Sequence, residues 1–387
     1  MKRWIKTLAT ALMCALLPGC AAAEQRVELF AVNVGKGDAL LVRVDDYACL
    51  IDAGKAKARG KIMTALAYMG IERLDAVFLT HPDDDHAGGL EWLAASDIEV
   101  GVWYASGIFT EVKEKKHPAL RAAQARGQEV QWLERGDRVP LGDTGAVFEV
   151  LAPEIVFSDK DDNNSLVMML ETHEGRVLFT GDMELPQEAQ LLTHGDDLSC
   201  VVLKAPNHGD DDTLSAAFAR AASAQIAIIS TDSYEKPGTP DPGVVARLQD
   251  AGSAVVVTQD AALGILTAVK GGVPTVSPVG IDAPEAEGVA IRSVAPGNDL
   301  ITVGSAQSEC DLSGWTLCSA PGNELFIFPE GTVLRAGASL TIGTKSSDEG
   351  SYDLFWDEKN AIHKSKTDVV TLYDAYGRAV DSATNGL

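Results

Sequence analysis

Basic charge is what this chain of 387 residues lacks most: 32 Lys and Arg stand against 56 Asp and Glu, a net charge of −24. A protein held on phosphate backbones by bulk charge is excluded, because that role needs a basic surface. Beyond the first few dozen positions there is no apolar run of about 20 residues, which excludes a polytopic membrane protein. The six cysteines include no CxxC pair, so a structural zinc knot is ruled out. Low-complexity tracts are missing too, and 46% hydrophobic residues make the chain too apolar for disorder. What remains is an acidic globular protein, long enough for about two domains.

Lys2, Arg3 and Lys6 precede a ten-residue apolar stretch, Leu8 to Leu17, too short to span a bilayer. Residues 1–23 are therefore expected to be an export signal. Leu17-Pro18-Gly19-Cys20 resembles a bacterial lipobox, whose cysteine is lipidated, while Ala21-x-Ala23 offers an ordinary signal-peptidase site. The protein is expected outside the cytoplasm, either free or as a membrane-anchored lipoprotein. Losing the three basic residues would take its net charge to −27. Cys49 and Cys200 lie in apolar runs and read as buried thiols. A bridge between Cys310 and Cys318 is left open, because spacing alone does not supply the Cβ geometry.

From Val27 to about Val269, short apolar runs alternate with segments of helical spacing. Strands are expected at 27–34, 39–44, 75–80, 166–171, 176–180, 199–204, 225–230 and 254–258. Helices are expected at 61–69, 88–95, 118–125, 186–193, 214–222 and 242–251, with Asp241 and Asp212 as N-caps. The alternation argues an α/β architecture over 26–270. Residues 271–288, with Pro274, Pro278 and Pro284, read as a linker. After Val289, strand-like pieces separated by Gly, Pro and Asp turns predict a small β-sandwich or barrel over 289–387.

Chemistry collects where the apolar runs end. Asp52 follows Cys49-Leu50-Ile51; Asp182 follows Phe179-Thr180-Gly181; His208 follows Cys200–Pro206. Between them, His81-Pro82-Asp83-Asp84-Asp85-His86 follows Ala76–Thr80 and runs into Ala87-Gly88-Gly89. Strand ends are rigid positions from which side chains converge on one point. Two His and three Asp in six residues are costly to assemble unless a cation neutralises them.

His-x-Asp-x-Asp-His-x-Gly-Gly resembles the metallo-β-lactamase-fold motif, and the surrounding text resembles the extracellular hydrolase domain of the ComEC competence proteins. Val34-Gly35-Lys36-Gly37-Asp38-Ala39, Leu50-Ile51-Asp52-Ala53-Gly54, Asp162-Asn163-Asn164-Ser165-Leu166-Val167, Phe179-Thr180-Gly181-Asp182 and Val202-Leu203-Lys204-Ala205-Pro206-Asn207-His208-Gly209 carry that likeness in order. The resemblance implies a four-layer αββα sandwich with two divalent metal ions, zinc or manganese, at one edge. It assigns His81 and Asp83 to one ion, Asp85, His86 and His208 to the other, and Asp182 to both. Asp85 and Asp182 then serve catalysis directly. Asp38 and Asp52 are implied to support the ligands, and Asn164, Ser165 and Lys204 to support the site or meet substrate. No nucleotide cofactor is implied.

Three departures from the family pattern stand out. No histidine supplies a further ligand between the cluster and Asp182; His173 sits in a polar turn, and Asn164 and Ser165 are expected to line that side. Thr239-Pro240 stands where the family has His-Pro, and Asp210-Asp211-Asp212 follows His208-Gly209. Lys55, Lys57, Arg59 and Lys61 fall within seven residues, with Lys36 on the loop before. They either meet phosphates at the mouth of the site or form the solvated start of a helix. His117, His194 and His363 read as surface or helix-end residues without a role.

The segment from Val289 resembles a lamin-tail domain through Cys310–Leu317, Phe328–Leu334, Ala338–Ile342 and Thr371–Asp374. Trp315 and Leu317 flank Thr316, which predicts that both face the domain core. The whole predicts an exported two-metal hydrolase, a phosphodiesterase or nuclease acting on DNA. Two alternatives stay open: a phosphodiesterase for phosphocholine or teichoic-acid surface polymers, and a metal-poor binding module that displays the tail. Cell-surface association through lipid or the lamin-tail domain is part of the expectation.

Overall fold

The computed structural model describes residues 24–157, 160–282, 288–305, 308–320, 324–359 and 361–386. The expected export signal over 1–23, with Cys20, lies outside them. The first half of the α/β body contains strands β1 (Val27–Val32), β2 (Leu40–Val44) and β3 (Tyr47–Ile51), then helix α1 (Arg59–Met69) and β4 (Arg73–Leu79). Short helices α2 (Asp84–Ala87) and α3 (Leu90–Ala95) lead to β5 (Glu99–Ser106), α4 (Pro118–Ala125) and β6 (Val130–Leu133). The second half runs β7 (Arg138–Pro140), β8 (Val147–Ala152), β9 (Val167–Glu171), β10 (Arg176–Phe179), α5 (Leu185–His194) and β11 (Val202–Lys204). It ends with α6 (Ala216–Ala222), β12 (Ile226–Ile229), α7 (Pro242–Asp250) and β13 (Ala254–Val257). Strands β14 (Gly264–Lys270) and β15 (Val273–Val279) then return to the first sheet.

Two mixed sheets result, one in the order β15-β14-β1-β2-β3-β4-β5-β6 and the other β13-β12-β11-β10-β9-β8-β7. The period of two along each strand builds the layers. In β4, Ala76 and Phe78 face the second sheet, where they meet Phe148, Met168 and Phe179. Val77 and Leu79 face the other way, onto Ile62 and Leu66 of α1 and Leu93 of α3. Beyond the second sheet, α5–α7 pack Leu191, Phe218 and Leu248 against Leu178 and Leu203. The body is thus the expected αββα sandwich.

Two local expectations change. Within 271–288 the chain is a strand over Val273–Val279, paired antiparallel with β14 across a turn made by Gly271 and Gly272 at φ 55° and 77°. Prolines 274 and 278 misread as linker because β15 is an edge strand, where a missing N–H breaks no ladder. Asp241 does cap α7, accepting from the N–H groups of Gly243 and Val244. Helix α6, however, is capped by Ser215 and not by Asp212.

The C-terminal domain has strands β16 (Val289–Ala295), β17 (Leu300–Ser305), β18 (Cys310–Asp311), β19 (Thr316–Ser319) and β20 (Glu324–Ile327). These are followed by β21 (Val333–Leu334), β22 (Ser339–Thr344), β23 (Leu354–Trp356), β24 (Val369–Tyr373) and β25 (Ala379–Thr384). Sheets β16-β17-β22-β23 and β20-β19-β24-β25 enclose Trp315, Leu317, Phe328, Ile342 and Trp356, as the alternation at Trp315 predicts. Cys49, Cys200, Cys310 and Cys318 are all free thiols, so no Cys310–Cys318 bridge forms. The domain docks on the start of α1. A Cβ on Gly60 would lie 2.5 Å from the backbone nitrogen of Gly377, and the Arg59 guanidinium donates to the Gly314 carbonyl at 3.2 Å.

Candidate metal centre

Strands β3 and β4 are parallel neighbours in one sheet, and β10 and β11 are parallel neighbours in the other. Their C-terminal ends therefore open at one edge of the sandwich, and the residues just past them face each other there. Asp52 follows β3, His81 follows β4, Asp182 follows β10 and His208 follows β11. The backbone is strained where it turns inward: Asp52, Asn207 and His208 sit at φ 58°, 40° and 52°. Such left-handed non-glycine residues persist only where the surroundings fix them.

The three imidazoles are oriented by the same device, an Nδ1–H given away so that Nε2 faces inward. His86 Nδ1 donates to Asp52 Oδ2 at 2.8 Å, and His208 Nδ1 donates to the Ser230 carbonyl at 2.9 Å. His81 Nδ1 donates to Thr80 Oγ1 at 3.1 Å, and that hydroxyl donates onward to Asp52. His86 Nε2 and His208 Nε2 then lie 3.2 Å apart. Asp182 closes the group, with Oδ1 3.1 Å from His86 Nε2 and Oδ2 3.0 Å from His208 Nε2.

Two ligand groups share Asp182. One brings together Asp38, His86, Asp182 and His208, the other His81, Asp162 and Asp182. Asp162 opens the matched stretch Asp162–Val167 but is not among the expected ligands. It lies beside His81, with Oδ1 3.7 Å from His81 Nε2. Its neighbours explain the placement. Asp161 is buried and accepts the N–H groups of Thr110 and Glu111, and Asn163 accepts those of Glu184 and Gln187. Asn164 exchanges hydrogen bonds with Phe157, so it holds the turn and does not line the site. Ser165 Oγ accepts the Asp182 N–H at 3.2 Å.

The remaining expected residues fall around this core. Asp83 lies 4.0 Å from His81 Nε2, with its side chain 38% exposed, outside both groups. Asp85 is 3.6 Å from His208 Nε2 and pairs with the Lys36 ammonium. Lys204 is fully buried and pairs with Asp38 Oδ2 at 2.7 Å. His173 is exposed as expected, whereas His117 is buried at the start of α4, packed between Phe109 and Trp132. The acidic run after His208 is partly neutralised: Asp210 pairs with Lys236, and Asp212 accepts from Asn207 Nδ2 at 3.2 Å. Thr239, at the family's histidine position, is buried against the Thr231 hydroxyl at 2.8 Å.

The donor set fits divalent metal ions. His81 Nε2, Asp182 Oδ1 and Asp38 Oδ1 are buried without a hydrogen-bond partner among the described residues. Such orphaned atoms are costly unless something charged meets them. Burial and the Asp182 and Asp83 charges push the Asp162 carboxyl up to about 7. Burial and the His86 ring hold His81 below its usual range. Burial opposes a charge on His86, yet Asp182 and Asp52 raise it well above the ordinary histidine value. Crowded carboxylates and facing imidazole nitrogens are mutually relieved by a cation.

Residues 32–234, just over half of the chain, match the family described as the Metallo-beta-lactamase superfamily, and residues 283–386 match the Lamin Tail Domain. ComE operon protein 3 of Bacillus subtilis (strain 168) is 27% identical over 248 residues, 59% of this chain and 31% of that protein. Competence protein ComA of Neisseria gonorrhoeae is 30% identical over 210 residues, 53% of this chain and 27% of that protein. The chain thus spans under a third of the length of these two relatives. Among solved structures, the metallo-beta-lactamase fold protein YhfI from Bacillus subtilis aligns at 13% identity and a TM-score of 0.43, over 63% of this chain and all of that one.

Proposed function

Because the chain belongs to the metallo-beta-lactamase superfamily, we propose that this metallohydrolase is a phosphodiesterase acting on DNA or another phosphodiester polymer. The observation that carries the reading is the convergence of three imidazole Nε2 atoms with Asp162 and Asp182 in a buried edge site. Kinship with competence proteins favours DNA over other diesters. Two ions fit best, one held by His81, Asp162 and Asp182 and the other by His86, His208 and Asp182, with Asp38 and Asp85 close by. The first set is richer in oxygen and leans toward manganese; the second suits zinc.

Divalent cations held there supply Lewis-acid charge for a phosphoryl oxygen and lower the pKa of a water. The chain's own residues do the rest. Asp52 and the Ser230 carbonyl fix the two rings, and Ser165 fixes the loop of Asp182. Lys204 cancels the charge of Asp38 beneath the site. Lys36 holds Asp85 at the mouth, with its ammonium facing an incoming anion. Export, lipid attachment at Cys20 and a cell-surface role for the lamin-tail domain complete the proposal.

The test is cleavage by the chain from Glu24 onward, with Asp182→Ala as control and manganese, zinc and magnesium supplied separately. DNA cleavage that disappears in the variant supports the nuclease reading. Cleavage of a small chromogenic diester alone redirects it to surface polymers. Full metal loading with no turnover removes phosphodiesters as the substrate class, and well under one metal per chain leaves the binding module.

A further inference from the structure

The basic cluster at 55–61 does not act as one group. Arg59 is spent on the C-terminal domain, where it donates to Gly314. Lys55 and Lys57 turn the other way, and both hold the carboxylate of Glu235. Lys55 Nζ donates to Glu235 Oε2 at 3.0 Å, the Lys36 backbone N–H donates to the same oxygen at 3.2 Å, and Lys57 Nζ donates to Oε1. One carboxylate thus takes two ammonium groups and a main-chain amide, the donor set that a phosphate oxygen group would use.

Two further observations indicate that this place is shaped for an anion. A Cβ on Gly35, whose φ is +85°, would come within 2.9 Å of all three carboxylate atoms of Glu235. Only a residue without a side chain leaves room for the group held there. The lysines also line a cavity of about 330 Å³ between the two domains, whose far wall is Thr371 and Tyr373 of β24 and whose floor includes Asp84. The cavity adjoins the metal centre through Asp84, in the segment that carries Asp83 and Asp85, and through Lys36. Lys36 gives its backbone N–H to Glu235 and its ammonium to Asp85, itself 3.6 Å from His208 Nε2.

We propose that this interdomain cleft is a subsite for a second, non-scissile phosphate of the substrate, with Glu235 holding its place until substrate arrives. The proposal rests on the phosphodiesterase reading and gives it a polymer preference. A phosphate displaces the Glu235 carboxylate from Lys55, Lys57 and the Lys36 amide, and the segment from Asp232 to Thr239 moves with it. The lamin-tail domain then contributes a wall of the substrate channel, beyond any role as an anchor.

Inorganic phosphate is the probe, titrated calorimetrically into the full chain after chelator treatment. Chelation removes phosphate bound through cations, and the lysine variants then separate binding in the cleft from binding at the imidazoles of the metal centre. Glu235→Gln is expected to tighten phosphate binding about tenfold, and Lys55→Met with Lys57→Met to weaken it at least as much. Lys57→Arg, which keeps the charge, is expected to retain binding, and circular dichroism checks that the lysine variants are folded. Phosphate binding indifferent to the lysines, or unchanged in Glu235→Gln, overturns the subsite. A protein that binds phosphate this way yet cuts no diester sinks the phosphodiesterase reading instead, so the two failures are distinct.

Discussion

Asp52 binds His86 and Thr80 with a single oxygen: Oδ2 accepts from His86 Nδ1 and from the Thr80 hydroxyl, each at 2.8 Å, while Oδ1 takes the Thr80 N–H. Thr80 in turn accepts from His81, so this one carboxylate sets the direction of two imidazoles.

An Asp52→Asn variant turns an NH2 group or a weaker acceptor toward His86 and loosens both rings. Metal affinity is expected to fall by about 10–100-fold, with the fold retained. Competition against a fluorescent chelator measures it, with circular dichroism as the folding control. Unchanged affinity would remove His86 from the ligand set.

Asp162 and Asp83 both approach His81, at 3.7 and 4.0 Å, but only Asp162 belongs to a ligand group. Asp162→Asn is expected to lose about one ion per chain, while Asp83→Asn retains its metal. Metal analysis by mass spectrometry after dialysis separates them. If the Asp83 variant lost the ion and the Asp162 variant kept it, the assignment would reverse.

Lys204 and Asp38 form an ion pair with both side chains out of solvent. Removing one partner strands the other charge, so Lys204→Met is expected to cost about 3–5 kcal/mol in urea denaturation. Adding Asp38→Asn to it should recover part of that loss. A single variant as stable as the parent would mean that the pair contributes nothing to stability.

His117 supplies a pH signature away from the metal site. Burial lowers it from 6.5 to about 4, only partly countered by Asp161, and neither ring nitrogen has a hydrogen-bond partner among the described residues. As pH falls between those values the unfolded chain takes up a proton that the folded chain refuses, so stability drops. By pH 5 the loss from this group is about 2 kcal/mol. His117→Leu should flatten that part of the stability profile between pH 7 and pH 5; a parallel profile would show that the buried ring is not the cause.

Much of the site could be read from the sequence because its residues end apolar strands. His81 to His86 is contiguous, and Asp182 and His208 each follow a run whose both faces are buried. Asp162 was hidden by its company. In Asp161-Asp162-Asn163-Asn164 every residue is a good turn former, all four lie in one helical turn, and the side chains of Asp161, Asn163 and Asn164 hold it. The prolines of β15 and the cap of α6 were misread for a similar reason: local chemistry is shared by linkers and edge strands, or by two adjacent polar residues. The docking of Gly377 against Gly60 left no pattern at all, since close approach depends on what faces a glycine across the fold.

The placement of β1 has a consequence for synthesis. It lies between β2 and β14, with Val27 opposite both Val44 and Val269. A chain emerging from the ribosome can pair β1 with β2 at once, but the other edge of β1 has no partner until residues 264–270 appear. For most of its translation the growing sheet therefore exposes a buried-type, apolar strand edge that invites mispairing. The catalytic body closes only near the end of its own coding length, which makes a delay or truncation before Gly264 far more damaging than its distance from the metal centre suggests.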